Sequence, residues 1–124
     1  MEKVYYMGVE ATLDVIGGKW KPIILCKLGY RPMRSSELKR EMPNTTQKML
    51  TQQLRELERD NIVNRTVYNQ VPPKVEYSLT EEGKSLREVL IAMSEWGENR
   101  IKQKQALGEK VKLIKGTHNG FLEM

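Results

Sequence analysis

Two helical patterns separated by a very short turn constrain this chain more than any other feature. Glu37 to Glu41 reads as a brief helix, capped by Ser35 or Ser36, with Leu38 pointing inward and Pro43 closing it. After Pro43-Asn44-Thr45, Thr46 is a good N-cap for a helix reaching about Asp60, on which Leu50, Leu54 and Leu57 recur at i, i+4, i+7. Two helices joined by so short a turn have the order of a helix-turn-helix. The outer face of the second helix carries Gln47, Lys48, Thr51, Gln52 and Arg55, and Asn61 suits the position just past its end.

The flanking segments complete the pattern. Val9, Leu13 and Ile16 form one stripe of a first helix ended by Gly17-Gly18. A second helix starts near Trp20 and runs through Ile23, Ile24 and Leu28 to Gly29; being apolar on most sides, it is the expected central buried helix. Pro32 to Arg34 is a short extended bridge. Downstream, Val63 to Tyr68 reads as a strand, and a returning strand alternates Val75, Tyr77 and Leu79 against Lys74, Glu76 and Ser78. Thr80 then caps a long last helix with the stripe Leu86, Val89, Leu90, Met93 and Trp96. The fold class expected is α+β and mostly helical: a winged helix-turn-helix with a two-stranded β-wing and a long C-terminal dimerisation helix. The domain is placed at residues 1–107, with 108–124 a basic, mobile and solvated tail.

Charge is unevenly distributed. The 124 residues carry a net charge of +5, yet Gly18 to Lys48 holds eight bases (Lys19, Lys21, Lys27, Arg31, Arg34, Lys39, Arg40, Lys48) against Glu37 and Glu41, so the rest sums to −1. Such a block suits an anionic partner, nucleic acid before membrane; a solvated basic surface is the plainer alternative. Thirty residues are Leu, Ile, Val or Phe, about a quarter of the chain, which permits a small packed core but not a large cavity.

Several functions drop out. A single cysteine, Cys26, excludes an intrachain disulfide and a cysteine-cluster zinc site; a single histidine, His118, argues against a Ser-His-Asp triad or a two-histidine metal site. Gly17-Gly18-Lys19 fails as a phosphate loop, with Trp20 where Ser or Thr is needed and Leu13 where the first glycine belongs. No apolar stretch is long enough for a membrane span and no secretory h-region stands at the N-terminus, so a cytoplasmic, nucleoid-associated protein that is not an enzyme and uses neither metal nor cofactor is expected.

The polar residues suit groove binding. Gln47 and Gln52 can bridge adenine N6 and N7, Lys48 and Arg55 can reach guanine O6 and N7, and Thr51 can meet a thymine methyl. The helix N-terminus with the Thr46 hydroxyl favours a phosphate. Arg34 and Ser36 would grip the backbone, and at the wing Pro72-Pro73 stiffens the tip while Arg65 and Lys74 supply charge. An ordinary surface helix and a plain hairpin would show the same residues, so a winged module for protein or RNA remains the alternative.

Three segments in order, Val9 to Trp20, Gln47 to Leu57 and Val71 to Thr80, resemble the HxlR-type winged helix-turn-helix regulators of bacteria, in one register from about Met7 to Trp96. The resemblance implies a homodimeric DNA-binding transcriptional regulator of MarR-like architecture, with a recognition helix at 47–60 in the major groove and a wing at 69–74 on backbone or minor groove. It further implies that the first and last helices form the dimer interface, which adds Val9 and Leu13 to Leu86, Val89, Leu90, Met93 and Trp96. The expected operator is a double-stranded inverted repeat with half-sites about one helical turn apart. Redox-sensing members carry a cysteine just before the first helix; here Met7 stands there, and a thioether forms no thiolate. Cys26 is the remaining candidate for redox sensing, against an inert role as a small hydrophobe. A small-molecule or redox effector thus stays open.

Overall fold

The computed structural model describes residues 1–114 and 119–124. Seven helices and two strands are found among them: α1 (Gly8–Ile16), α2 (Trp20–Tyr30), α3 (Ser35–Glu41), α4 (Gln47–Arg59), β1 (Val63–Tyr68), β2 (Lys74–Leu79), α5 (Glu81–Lys84), α6 (Arg87–Ala106) and α7 (Asn119–Leu122). The winged helix-turn-helix order is as expected, and β1 and β2 form an antiparallel hairpin in register from Val63 opposite Leu79 to Tyr68 opposite Lys74. Met33 adds a one-residue bridge to this sheet: its N–H donates to the Tyr77 carbonyl at 3.0 Å and its carbonyl accepts from the Tyr77 N–H at 2.8 Å. The extended bridge before α3 thereby ties the wing to the helices.

α2 is the central helix. Ile24, Leu25 and Leu28 are buried and meet Leu38 of α3, Leu50, Leu54 and Leu57 of α4, and Ile62 and Val63 at the start of the hairpin in one cluster. The ends of α4 are set by local hydrogen bonding. The Thr46 hydroxyl accepts from the Met49 N–H at 3.0 Å, supplying one donor of the first turn with a partner. At the other end Asn61 takes a left-handed φ of 61°; its N–H donates to the Glu58 carbonyl and that of Ile62 to the Leu57 carbonyl. This is a Schellman closure, and the buried pair Leu57 and Ile62 is its apolar clasp.

Four expectations are corrected. α3 begins at Ser35 with Arg34, not Ser35 or Ser36, at the N-cap position, where the Glu37 carboxylate accepts the Arg34 N–H at 3.0 Å and fixes the start of the helix. The last helix is split: Thr80 caps α5 through the Gly83 N–H at 2.9 Å, and Ser85 and Leu86 form a turn before α6. Leu90, expected in a dimer interface, is 1% exposed and packs in the chain's own core. Finally, residues 119–124 are not a solvated end: α7 packs on α2 and α6, burying Phe121, since even a short segment with a large apolar ring gains by leaving water. His118 and Lys115 lie outside the described residues.

Candidate nucleic-acid interface

α4 divides cleanly by amphipathicity. Leu50, Leu54 and Leu57 are in the core, leaving Gln47, Lys48, Gln52 and Arg55 exposed and Thr51 half-buried between them. Together with Glu56 and Arg59 these residues line a shallow cleft along the outer side of the helix. Gln47 donates its side-chain amide to the Thr51 hydroxyl at 3.2 Å, an i, i+4 bond that orders both.

Two further clefts bring in the remaining candidates. Thr51 and Arg55 of α4 share one with Ser35, Glu58 and, from the hairpin, Arg65, Val75 and Tyr77. The other gathers Arg34, Ser36 and Arg40 at α3 with Arg31, Glu37 and, from the wing, Lys74 and Glu76. Pro73 lies exposed at the hairpin tip and lines none of these clefts. Arg40 and Arg59 are additional cations that sequence reasoning did not single out. Their spacing was available as a signal: each stands four residues after a chosen position, Ser36 and Arg55, and so on the same helix face.

The basic block is less uniform than its formal charge. Lys21 is buried against Glu56 at 2.8 Å, Lys27 pairs with Glu41 at 3.7 Å and Arg31 with Glu37 at 3.0 Å. Arg34, Arg40, Lys48, Arg55 and Arg65 have no carboxylate within ion-pair distance among the described residues. Cations without a paired carboxylate thus stand at the start of α3 and on α3, α4 and β1. Lys74 sits against Glu76 at 3.2 Å and over the Tyr68 ring at 5.0 Å, so a phosphate at the wing must compete with an internal carboxylate. Two acids of this region are held below the usual carboxylate range: Glu37 by the Arg34 N–H and then by Arg31, and Glu56 by the Lys21 ammonium.

Large apolar side chains outside these clefts are exposed as well. Val9 and Leu13 of α1 and Val89, Met93 and Trp96 of α6 are all exposed, Trp96 by 71%; Leu86 is half-buried. Cys26 is half-buried in α2 and lines a third region, a cleft of about 650 Å³ between α2, α6 and α7 with Pro22, Ile23, Met93 and Phe121. Met7 lies exposed at the start of α1, where its N–H and that of Tyr6 donate to the Glu10 carboxylate. Among the described residues no cluster of His, Cys, Asp and Glu could hold a metal ion, and no helix is long and apolar enough to cross a membrane.

This geometry has counterparts. A family model described as HxlR-like helix-turn-helix matches residues 15–105. The chain belongs to the HxlR-like helix-turn-helix family. Within it, YtcD of Bacillus subtilis (strain 168), an HTH-type transcriptional regulator, is 64% identical over 100 residues, covering 81% of this chain and 79% of YtcD. The crystal structure of ytcD matches with a TM-score of 0.73 over 77% of this chain and 98% of its own. The redox regulator HypR in its reduced form matches at 55% identity with a TM-score of 0.75, over 80% and 99% of the two chains. A transcriptional regulator of the MarR family from Enterococcus faecalis V583 matches at 37% identity with a TM-score of 0.71, over 86% and 96%. The relatives of this HxlR-like chain are transcriptional regulators, not enzymes. α1 up to Asp14, and α7, lie outside the matched segment.

Proposed function

We propose that the protein is a transcriptional regulator that binds double-stranded DNA sequence-specifically as a homodimer. The observation that carries this reading is the exposed outer face of α4. A helix capped at Thr46 presents Gln47, Lys48, Gln52 and Arg55 outward, the side-chain types that read base edges in a major groove. A cleft beside it brings in Arg65, and another between α3 and the wing collects Arg34, Ser36 and Lys74, groups suited to phosphates and to fixing register. Thr46 and the N-terminal N–H groups of α4 take a backbone phosphate. The wing, with Pro73 and Lys74, lies on backbone or minor groove.

The dimer is formed by Val9, Leu13, Leu86, Val89, Met93 and Trp96, whose exposure in a single chain leaves an apolar surface that a second copy covers. Two-fold symmetry then calls for an inverted-repeat operator with half-sites about one helical turn apart. Such a protein works in the cytoplasm, at the nucleoid. Any redox signal would act through Cys26, the single thiol; equal loss of DNA binding after diamide in wild type and Cys26→Ser would remove that role.

The test is fluorescence anisotropy on the upstream intergenic DNA of its own gene, on genomic fragments selected for binding, and on shuffled duplex, across a salt series. A preference of about a thousandfold with a salt slope of several units is expected. Equal binding of selected and shuffled duplex would instead assign the fold to protein or RNA binding.

A further inference from the structure

Lys21 belongs to the basic block by sequence yet cannot meet DNA. Its side chain is 7% exposed, and its Nζ lies 2.8 Å from Glu56 Oε1, whose side chain is 26% exposed. A buried ammonium is costly unless a charged partner also hydrogen-bonds it, and Glu56 supplies both. The pair is asymmetric: the cation is sealed inside from α2, while the carboxylate emerges on α4 and lines the outer cleft with Gln47, Lys48, Thr51, Gln52 and Arg55. A carboxylate at a DNA-facing ridge repels phosphate; here its charge is compensated from within.

Gln52 stands one turn before Glu56 and lines the same cleft, on the helix face where residues four apart are neighbours; the Lys21 ammonium holds the Glu56 carboxyl below the usual carboxylate range, and so ionised at neutral pH. An ionised carboxylate only accepts, so an amide that meets it does so through its NH₂ and leaves its carbonyl oxygen facing outward. An outward acceptor matches the exocyclic amine of adenine or cytosine and meets no donor on guanine or thymine in the major groove.

We propose that Glu56, held by Lys21, is a positioning residue that fixes the amide of Gln52 as an acceptor and so selects a base bearing an exocyclic amine at one position of each half-site. This rests on the reading of α4 as the groove helix. The alternative is a purely structural pair that ties α2 to α4.

The experiment compares full-length wild type, Gln52→Ala, Glu56→Gln and the double variant Lys21→Met with Glu56→Leu. Each is titrated by anisotropy against the selected operator duplex, a panel of its single-base-pair substitutions and a random duplex, with melting followed in parallel. The double variant removes the pair without changing net charge or leaving a buried ion alone, so it keeps the fold and the random-duplex affinity. Wild type is expected to lose about tenfold in affinity when the amine-bearing base is replaced at one position. That preference should collapse at the same position, and nowhere else, in the double variant, in Glu56→Gln and in Gln52→Ala. Retention of the full preference by a folded double variant overturns the inference, as does an equal loss at every base pair, which marks a structural pair. A wild type that discriminates nowhere on the panel overturns the groove reading itself, a result visible without any variant.

Discussion

Gly29 of α2 and Gly120 of α7 lie back to back: a Cβ on Gly29 would stand 1.9 Å from the Gly120 carbonyl oxygen, and one on Gly120 would stand 1.8 Å from the Cys26 carbonyl oxygen. Backbone meets backbone at these points, and no flexible side chain can give way. The two missing Cβ atoms let α7 seat on α2, carry Phe121 into the cleft and bring Gly120 beside the Cys26 sulfur. Gly120→Ala should therefore lift residues 119–124 from α2. The expected readout is faster reaction of Cys26 with a thiol reagent than in wild type. An unchanged rate would contradict the seating.

Leu90 and Trp96 lie on one stripe of α6 but answer to different neighbours. Leu90→Ala empties part of the core and should cost about 2–5 kcal/mol in denaturant unfolding. Trp96→Arg touches nothing buried in one chain, so far-ultraviolet circular dichroism should stay native while sedimentation shifts from dimer toward monomer. A dimer of unchanged affinity would place the interface elsewhere.

On the DNA side, Arg55 and Arg40 should separate by mechanism. Arg55→Ala is expected to cost about 1–3 kcal/mol and to relax preference at one base pair, as a base contact does. Arg40→Ala should weaken all duplexes alike and lower the salt slope by about one, as a phosphate contact does. Anisotropy titrations over a salt series read both.

Glu37 and Glu56 make stability depend on acid pH. Arg34 and Arg31 around Glu37, and Lys21 beside Glu56, hold both folded carboxyls below the ordinary 4.5. The unfolded chain therefore takes up these protons first as pH falls. Their contribution is complete above about 4.5 and is lost as pH drops through the lower folded values. Urea midpoints should be flat from pH 7 to 5 and decline below that, with a shallower decline in the Lys21→Met, Glu56→Leu double variant.

Thr45, in the turn between α3 and α4, is buried, and its hydroxyl has no hydrogen-bond partner among the described residues. Burying a hydroxyl without a partner costs free energy that a methyl of the same shape does not. Thr45→Val should raise stability by about 1 kcal/mol in urea unfolding; a loss of stability would show that the hydroxyl is satisfied in solution.

What the sequence by itself determined is what rests on near neighbours along the chain. The stripe of Leu50, Leu54 and Leu57, the Thr46 cap and the left-handed Asn61 are each written within a few residues, because helical periodicity and terminal hydrogen bonds act over one turn. The same locality made the hairpin legible from β-branched and aromatic residues around a proline turn, and the outer face of α4 legible as whatever the stripe left over. The start of α3 escaped that reading because the Glu37 carboxylate accepts the Arg34 N–H and the N-cap falls at Arg34, just before the serines expected to supply it.

Tertiary structure decided what depends on segments far apart in the chain. Lys21 counts as surface charge until α4 places Glu56, 35 residues away, over it. Leu90 and Trp96 share a helical stripe, but only the packing of α6 sends one into the core and leaves the other exposed. The basic tail reads as solvated because nothing near Phe121 announces a partner; that partner is the cleft between α2 and α6, whose α2 wall lies some ninety residues earlier in sequence. Burial and charge compensation are sums over neighbours in space, and for these residues the deciding neighbours come only with the fold.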